Sequence, residues 1–209
     1  MKFLNFSKVL CLSPHPDDVE LGLSGTIIKY NQTHFDMLTL SGGGDYEGTK
    51  ISSREAELRY AWKTDNVNNI SITINTSLKP KNNTEDFLVN KIETLYVNDH
   101  QAIFVPTYTD AHFEHRITNR LAAALTRCKN ISIIEYRTPS TLNDWAPNMF
   151  IDITSTYQRK IDMLSMFKSQ LSKKYFKPEI LKAFHTDFQS LKKENIYVEQ
   201  FKLIQLYGH

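Results

Sequence analysis
Short apolar runs alternate with helical stretches along this chain, and that alternation restricts its fold more than any other feature. Lys8–Ser13 (KVLCLS), Ile70–Ile74 (ISITI) and residues 35–40 (FDMLTL), 102–105 (AIFV) and 131–136 have the length and apolar character of buried strands. Residues 18–31, 52–64, 84–98 and 112–127 lie between them and are patterned as helices, with Ser52 or Ser53 as an N-cap and Glu55 in the first turn of the second. Helices of this length suit right-handed crossovers between parallel strands. The expected class is therefore α/β, a Rossmann-like, mainly parallel sheet with helices on both faces. Residues 150–154 are expected to add an edge strand, and 157–168 and 178–191 closing helices. No internal repeat or low-complexity linker interrupts the chain, so a single domain over residues 1–209 is the expectation.

In such a sheet, ligands gather beyond the carboxyl ends of the strands. Residues 14–18, PHPDD, fall there, between the first strand and the first helix. Each proline disfavours the helical conformation in the residue before it, so Ser13 and His15 are held extended on a stiff turn. Stiff placement suits a metal ligand or a catalytic group. The same residues also fit a plain helix start, with Asp17 or Asp18 as cap and Glu20 complementing the helix dipole.

A second constellation tips the balance. DAHFEHR at 110–116 follows the fourth strand, and His112 and His115 are spaced to share one side of a first helical turn. Three histidines and several carboxylates converging on one rim suit a borderline metal such as zinc, which in catalytic sites takes three protein ligands and keeps a position open for water. The HExxH pattern is absent, so the site is assembled from two separate loops.

With both motifs in hand, the chain resembles the PIG-L/LmbE-like family of metal-dependent N-deacetylases over most of its length. The resemblance rests on PHPDD with Leu21-Gly22, SGGGDYEG after the second strand and SREAELRYA at 53–61. HFEH at 112–115 stands where the family usually has HPDH; IIEYRTP at 133–139 and IYVEQF at 196–201 resemble later landmarks. It implies an LmbE-like fold with His15, Asp18 and His115 holding the metal, zinc or another divalent ion such as Fe2+. Asp17 is implied as the general base towards the attacking water, and a protonated His112 as a stabiliser of the developing oxyanion. Arg54 matches a family arginine near the substrate, and Asp45 or Glu47 in the glycine-rich loop is a candidate contact to substrate hydroxyls. The implied reaction is removal of an N-acetyl group from an amino sugar or its conjugate by metal-activated water. A non-sugar acylamine as substrate, or a sugar-binding relative without catalysis, are the alternatives. Retention of Asp17 argues against the latter, because a binder has no need of the base. Phe113-Glu114 in place of Pro-Asp puts the local helix start in question.

Other classes fit less well. SGGGDYEG lacks the spacing of a dinucleotide fingerprint and follows the second strand rather than the first. A net charge of +2 gives no reason to expect nucleic acid. Lys173, Lys174 and Lys177 read as a solvated helical face rather than a patch for an anionic partner. Cys11 and Cys128 sit in apolar stretches as buried thiols. No apolar run approaches the roughly 18 residues that span a bilayer. Polar Asn5, Ser7 and Lys8 make the N-terminus a first strand rather than a signal peptide, so the cytoplasm is the expected compartment. The expected partner is a small N-acetylated amino sugar or conjugate, and assembly into a homo-oligomer is compatible with the resemblance.

Overall fold
The computed structural model describes residues 1–43, 51–64, 67–127, 129–186 and 196–208. Its strands are β1 (Lys8–Ser13), β2 (His34–Thr39), β3 (Ile70–Ile74), β4 (Ala102–Pro106), β5 (Ser132–Tyr136), β6 (Met149–Asp152) and β7 (Val198–Gln205). The helices are α1 (Asp18–Lys29), α2 (Ile51–Thr64), α3 (Glu85–Tyr96), α4 (Phe113–Thr126), α5 (Tyr157–Leu164) and α6 (Pro178–Phe184). One sheet of order β3-β2-β1-β4-β5-β7-β6 results. The first five strands are parallel, and β7 runs antiparallel to both β5 and β6. The expected α/β class is thus the observed one, and the expected edge strand is β6.

Period-two alternation splits the core into two layers. Val9 and Cys11 of β1, with Ala102 and Phe104 of β4, pack under α1, α2 and α5 on one face. Their neighbours Leu10, Leu12, Ile103 and Val105 meet α3 and α4 on the other. A strand buried on both faces reads as a continuous apolar run, which is why β1 and β4 stand out in the sequence. Strand β7 does not: only Val198, Glu199 and Phe201 are fully buried, and its polar positions disguise it.

Several ends differ from expectation for local reasons. Helix α3 begins at Glu85 because the Thr84 hydroxyl accepts from Phe87 N, as an N-cap should. The helix expected over 157–168 stops at Leu164 and a 3-10 turn, Lys168–Gln170, follows. The last helix is seen over Pro178–Phe184, and residues 187–195 lie outside the described part. Gly22 lets α1 lie against β5: a Cβ there would meet the ring of Tyr136, whose hydroxyl donates to Leu12 O at 2.9 Å. Cys11 is fully buried; Cys128 is outside the described residues. No helix among the described residues is long and apolar enough to cross a membrane.

Candidate metal centre and active site
The turn between β1 and α1 and the start of α4 meet at the carboxyl ends of β1 and β4. The two prolines and the Ser13 hydroxyl, which donates to His15 O at 2.7 Å, hold the turn. His15, His112 and His115 come together with ligand-type atoms within 4.8 Å of one another. The His112 and His115 rings stack at 4.6 Å, as their spacing predicts, although His112 precedes α4 as its N-cap rather than lying in its first turn. Asp18 faces the same place: its Oδ2 lies 3.1 Å from His15 Nδ1 and 3.3 Å from His115 Nε2. His15, Asp18 and His115 are therefore neighbours, and His112 stands beside them.

Each of two histidines has a carboxylate on its other nitrogen, a pairing that fixes ring orientation in metal sites. Glu114 Oε2 lies 2.9 Å from His15 Nε2, and Asp110 Oδ2 lies 3.0 Å from His115 Nδ1. Asp110 is itself held by Thr138 Oγ1 at 2.5 Å, Ser140 Oγ at 2.6 Å and the His112 amide at 2.7 Å. No motif in the sequence points to either acceptor. Glu114, which seemed to disturb the helix start, sits in an undisturbed α4 and binds His15.

Asp17 is set apart from its neighbour by backbone conformation. It is a left-handed residue (φ 111°, ψ −21°), a geometry that L side chains adopt at a cost of order 1–3 kcal/mol and that recurs at functional sites. Its amide donates to Glu20 Oε2 at 3.0 Å, and Glu20 Oε1 accepts from the Trp62 indole at 2.5 Å. Arg54 of α2 donates to Asp17 Oδ1 at 2.9 Å and to Pro16 O at 2.5 Å. Asp17 Oδ2 is buried and has no hydrogen-bond partner. Gly43, at φ 65°, makes room for this arginine, since a Cβ there would collide with the guanidinium. That is one structural use of the glycine-rich run. Asp45 and Glu47 lie outside the described residues.

Charge follows from these contacts. Burial pushes Asp17 up to about 6 although Arg54 pulls it down. Burial also opposes charge on Asp18, but His115 and His15 hold it well below the usual carboxylate range. Against the cost of burial, Asp18 and Asp110 raise His115 to about 10, and Asp18 and Glu114 raise His15. Burial and the positive charge of His15 and His115 depress His112 to about 4, so its ring is neutral at pH 7. In the metal-free site, burial first and then His15 and His115 oppose the proton that the sequence expectation places on His112.

The donor set fits a divalent cation. Imidazole nitrogens and a carboxylate converge, the carboxylates around them draw protons onto His15 and His115, and a metal displaces such protons when it binds. A pocket of about 550 Å³ opens over the cluster, lined among others by Asp17, Arg54, His112 and Phe113.

The family described as "PIG-L: GlcNAc-PI de-N-acetylase" matches residues 10–126. Diacetylchitobiose deacetylase of Thermococcus kodakarensis is 41% identical over 61 residues, which are 27% of this chain and 22% of that protein. The chain thus covers well under two thirds of that relative. The N,N'-diacetylchitobiose deacetylase structure from Pyrococcus horikoshii superposes with a TM-score of 0.67 at 20% identity, over 96% of this chain and 85% of that one. A 4-carboxy-2-hydroxymuconate hydratase from Pseudomonas putida superposes with a TM-score of 0.69 at 14% identity, over 100% and 98%. At such identities the likeness is one of fold, and a fold hosts more than one chemistry.

Proposed function
This chain belongs to the PIG-L family of GlcNAc-PI de-N-acetylases, and on that premise we propose that it is a metal-dependent hydrolase that removes an N-acetyl group from an amino sugar or amino-sugar conjugate. The observation that carries the proposal is the buried, unpartnered Oδ2 of Asp17 beside the cluster of His15, His112 and His115. His15, Asp18 and His115 are the proposed ligands, with zinc the favoured ion. A bound divalent cation supplies Lewis acidity that polarises an amide carbonyl and makes a nearby water more acidic.

The chain's own residues do the rest. Asp17 is a carboxylate at neutral pH and accepts a proton from the attacking water at Oδ2, while Arg54 holds Oδ1. General-base help of this kind is worth roughly a hundred- to ten-thousandfold in rate. Water oxygen bonds to the acetyl carbon, and the carbonyl oxygen becomes an oxyanion. His112, beside the ligand set and lining the pocket, serves that oxygen as a hydrogen-bond donor, the role in which pre-placed donors are most effective. The proton on Asp17 passes to the amine nitrogen as the C–N bond breaks, giving acetate and a free amine.

Metal analysis together with an assay of acetate release from free, nucleotide-linked and lipid-linked N-acetylglucosamine compounds tests the proposal. Protein that binds no divalent metal, or an Asp17→Ala variant with unchanged activity, would overturn it.

A further inference from the structure
The helix that supplies Arg54 holds Asp17 a second time, through Glu20. Arg54, Leu58 and Trp62 are spaced i, i+4, i+8 on α2 and are all buried, so one stripe of that helix faces the start of α1. Arg54 takes the Asp17 side chain at Oδ1. Further along α2, Trp62 donates its indole N–H to Glu20 Oε1 at 2.5 Å, and Glu20 Oε2 accepts the Asp17 amide at 3.0 Å. Glu20 and Trp62 are 0% and 2% exposed, and neither lines the pocket, so neither touches a substrate there.

A buried indole needs an acceptor, and a carbonyl or a glutamine would serve it. A helix cap asks as little, because glutamine satisfies the amide of the capping residue as glutamate does. What an acid of this length adds is one oxygen for each of two donors; an amide group offers one acceptor end and one donor end. The amide that gains is that of Asp17, the residue held at φ 111°. Strained backbone of this kind persists only where its surroundings over-determine it. Relaxation of the turn would swing the Asp17 carboxylate away, and a misplacement of about 1 Å costs on the order of a hundredfold in rate. We propose that Trp62 and Glu20 are positioning residues for Asp17. The indole fixes Glu20, Glu20 fixes the amide of the left-handed turn, and Oδ2 is thereby aimed at the water it deprotonates. The role rests on the deacetylase reading and adds to it a second hold from α2, on the backbone of Asp17 where Arg54 holds the side chain.

Amide hydrogen exchange and kinetics on zinc-loaded protein separate the two claims, since exchange needs no substrate. Trp62→Phe keeps an aromatic ring in the core and removes the donor. The Asp17 amide is expected to exchange about tenfold faster, while the Ile27 amide late in α1 is unchanged. With it, kcat for acetate release falls about tenfold at constant KM. Glu20→Gln sets an amide NH2 against one of the two donors and loses more of both. Adding Trp62→Phe frees the glutamine oxygen to take the Asp17 amide, so the double variant recovers part of both quantities, which mere loss of packing does not give. An Asp17 amide that exchanges as in the parent, a kcat that holds in protein that releases acetate, or a double variant no better than Glu20→Gln overturns the positioning role. A parent that releases no acetate, with the exchange pattern as expected, overturns the deacetylase reading and leaves the hold on Asp17 standing.

Discussion
Arg54 reaches from α2 to the turn before α1 and grips Asp17 at 2.9 Å, and in doing so it fixes one oxygen of the proposed base while leaving the other bare. The same guanidinium is bound to Pro16 O, so backbone and side chain of the turn are held by one group.

Removing that charge has a definite sign. Arg54 lowers the pKa of Asp17 against the upward push of burial. Asp17 works only as a carboxylate, so Arg54→Gln raises its pKa and moves the acid limb of kcat/KM to higher pH. The loss of activity is greatest in acid and least in alkali, and also includes about tenfold or more from poorer placement of the base. A pH-rate profile of variant and parent checks this; an acid limb that stays put refutes the electrostatic role.

Metal binding should be coupled to protons. His115 is raised to about 10, so it is protonated at neutral pH when the metal is absent, and Asp18 and Glu114 push His15 in the same direction. Ligand imidazoles must be neutral, so zinc uptake releases protons and apparent affinity falls as pH falls. Calorimetric titration in two buffers of different ionisation enthalpy measures the number released. An enthalpy independent of buffer contradicts the arrangement of Asp18, Asp110 and Glu114 around the two rings.

Asp110 is a positioning residue for that centre. It holds the His115 ring and the His112 amide together, and Thr138 and Ser140 hold it in turn. Asp110→Asn is expected to weaken zinc binding about 10- to 100-fold, the usual cost of losing such an acceptor. Competition with a chelator of known affinity measures it; unchanged affinity would show that the His115 ring needs no such support.

The parts of this molecule that were legible in the sequence are those governed by local pattern. Strands β1 and β4 are buried on both faces and read as unbroken apolar runs. PHPDD and HFEH declare themselves because histidines and aspartates are costly to bury without purpose. What escaped depends on contacts between distant segments. Glu114 meets His15 across 99 positions, so its use could not be read from its own neighbourhood. Strand β7 pairs antiparallel on both sides, and IYVEQF served only as a landmark. The depressed pKa of His112 arises from burial and from the His15 and His115 rings, which only folding sets around it.

Strand β7 also supplies the last prediction. Glu199 on β7 and Lys160 on α5 form an ion pair at 2.5 Å, with the two side chains 1% and 0% exposed. Glu199 accepts from Gly25 N at 2.9 Å and Thr26 N at 2.7 Å, and Lys160 donates to Leu21 O at 2.7 Å. The pair thus ties β7 and α5 to the middle of α1, the helix that begins at Asp18. Removing one partner leaves the other charged and buried, so Lys160→Met is expected to cost about 3–5 kcal/mol, or roughly ten degrees of Tm in a chain of this size. Combining it with Glu199→Gln removes the stranded charge and recovers part of that loss, because the amide oxygen still accepts from one α1 amide. Thermal unfolding of the single and double variants decides the matter: a double variant less stable than Lys160→Met would mean that the cost lies in lost packing and not in the uncompensated carboxylate.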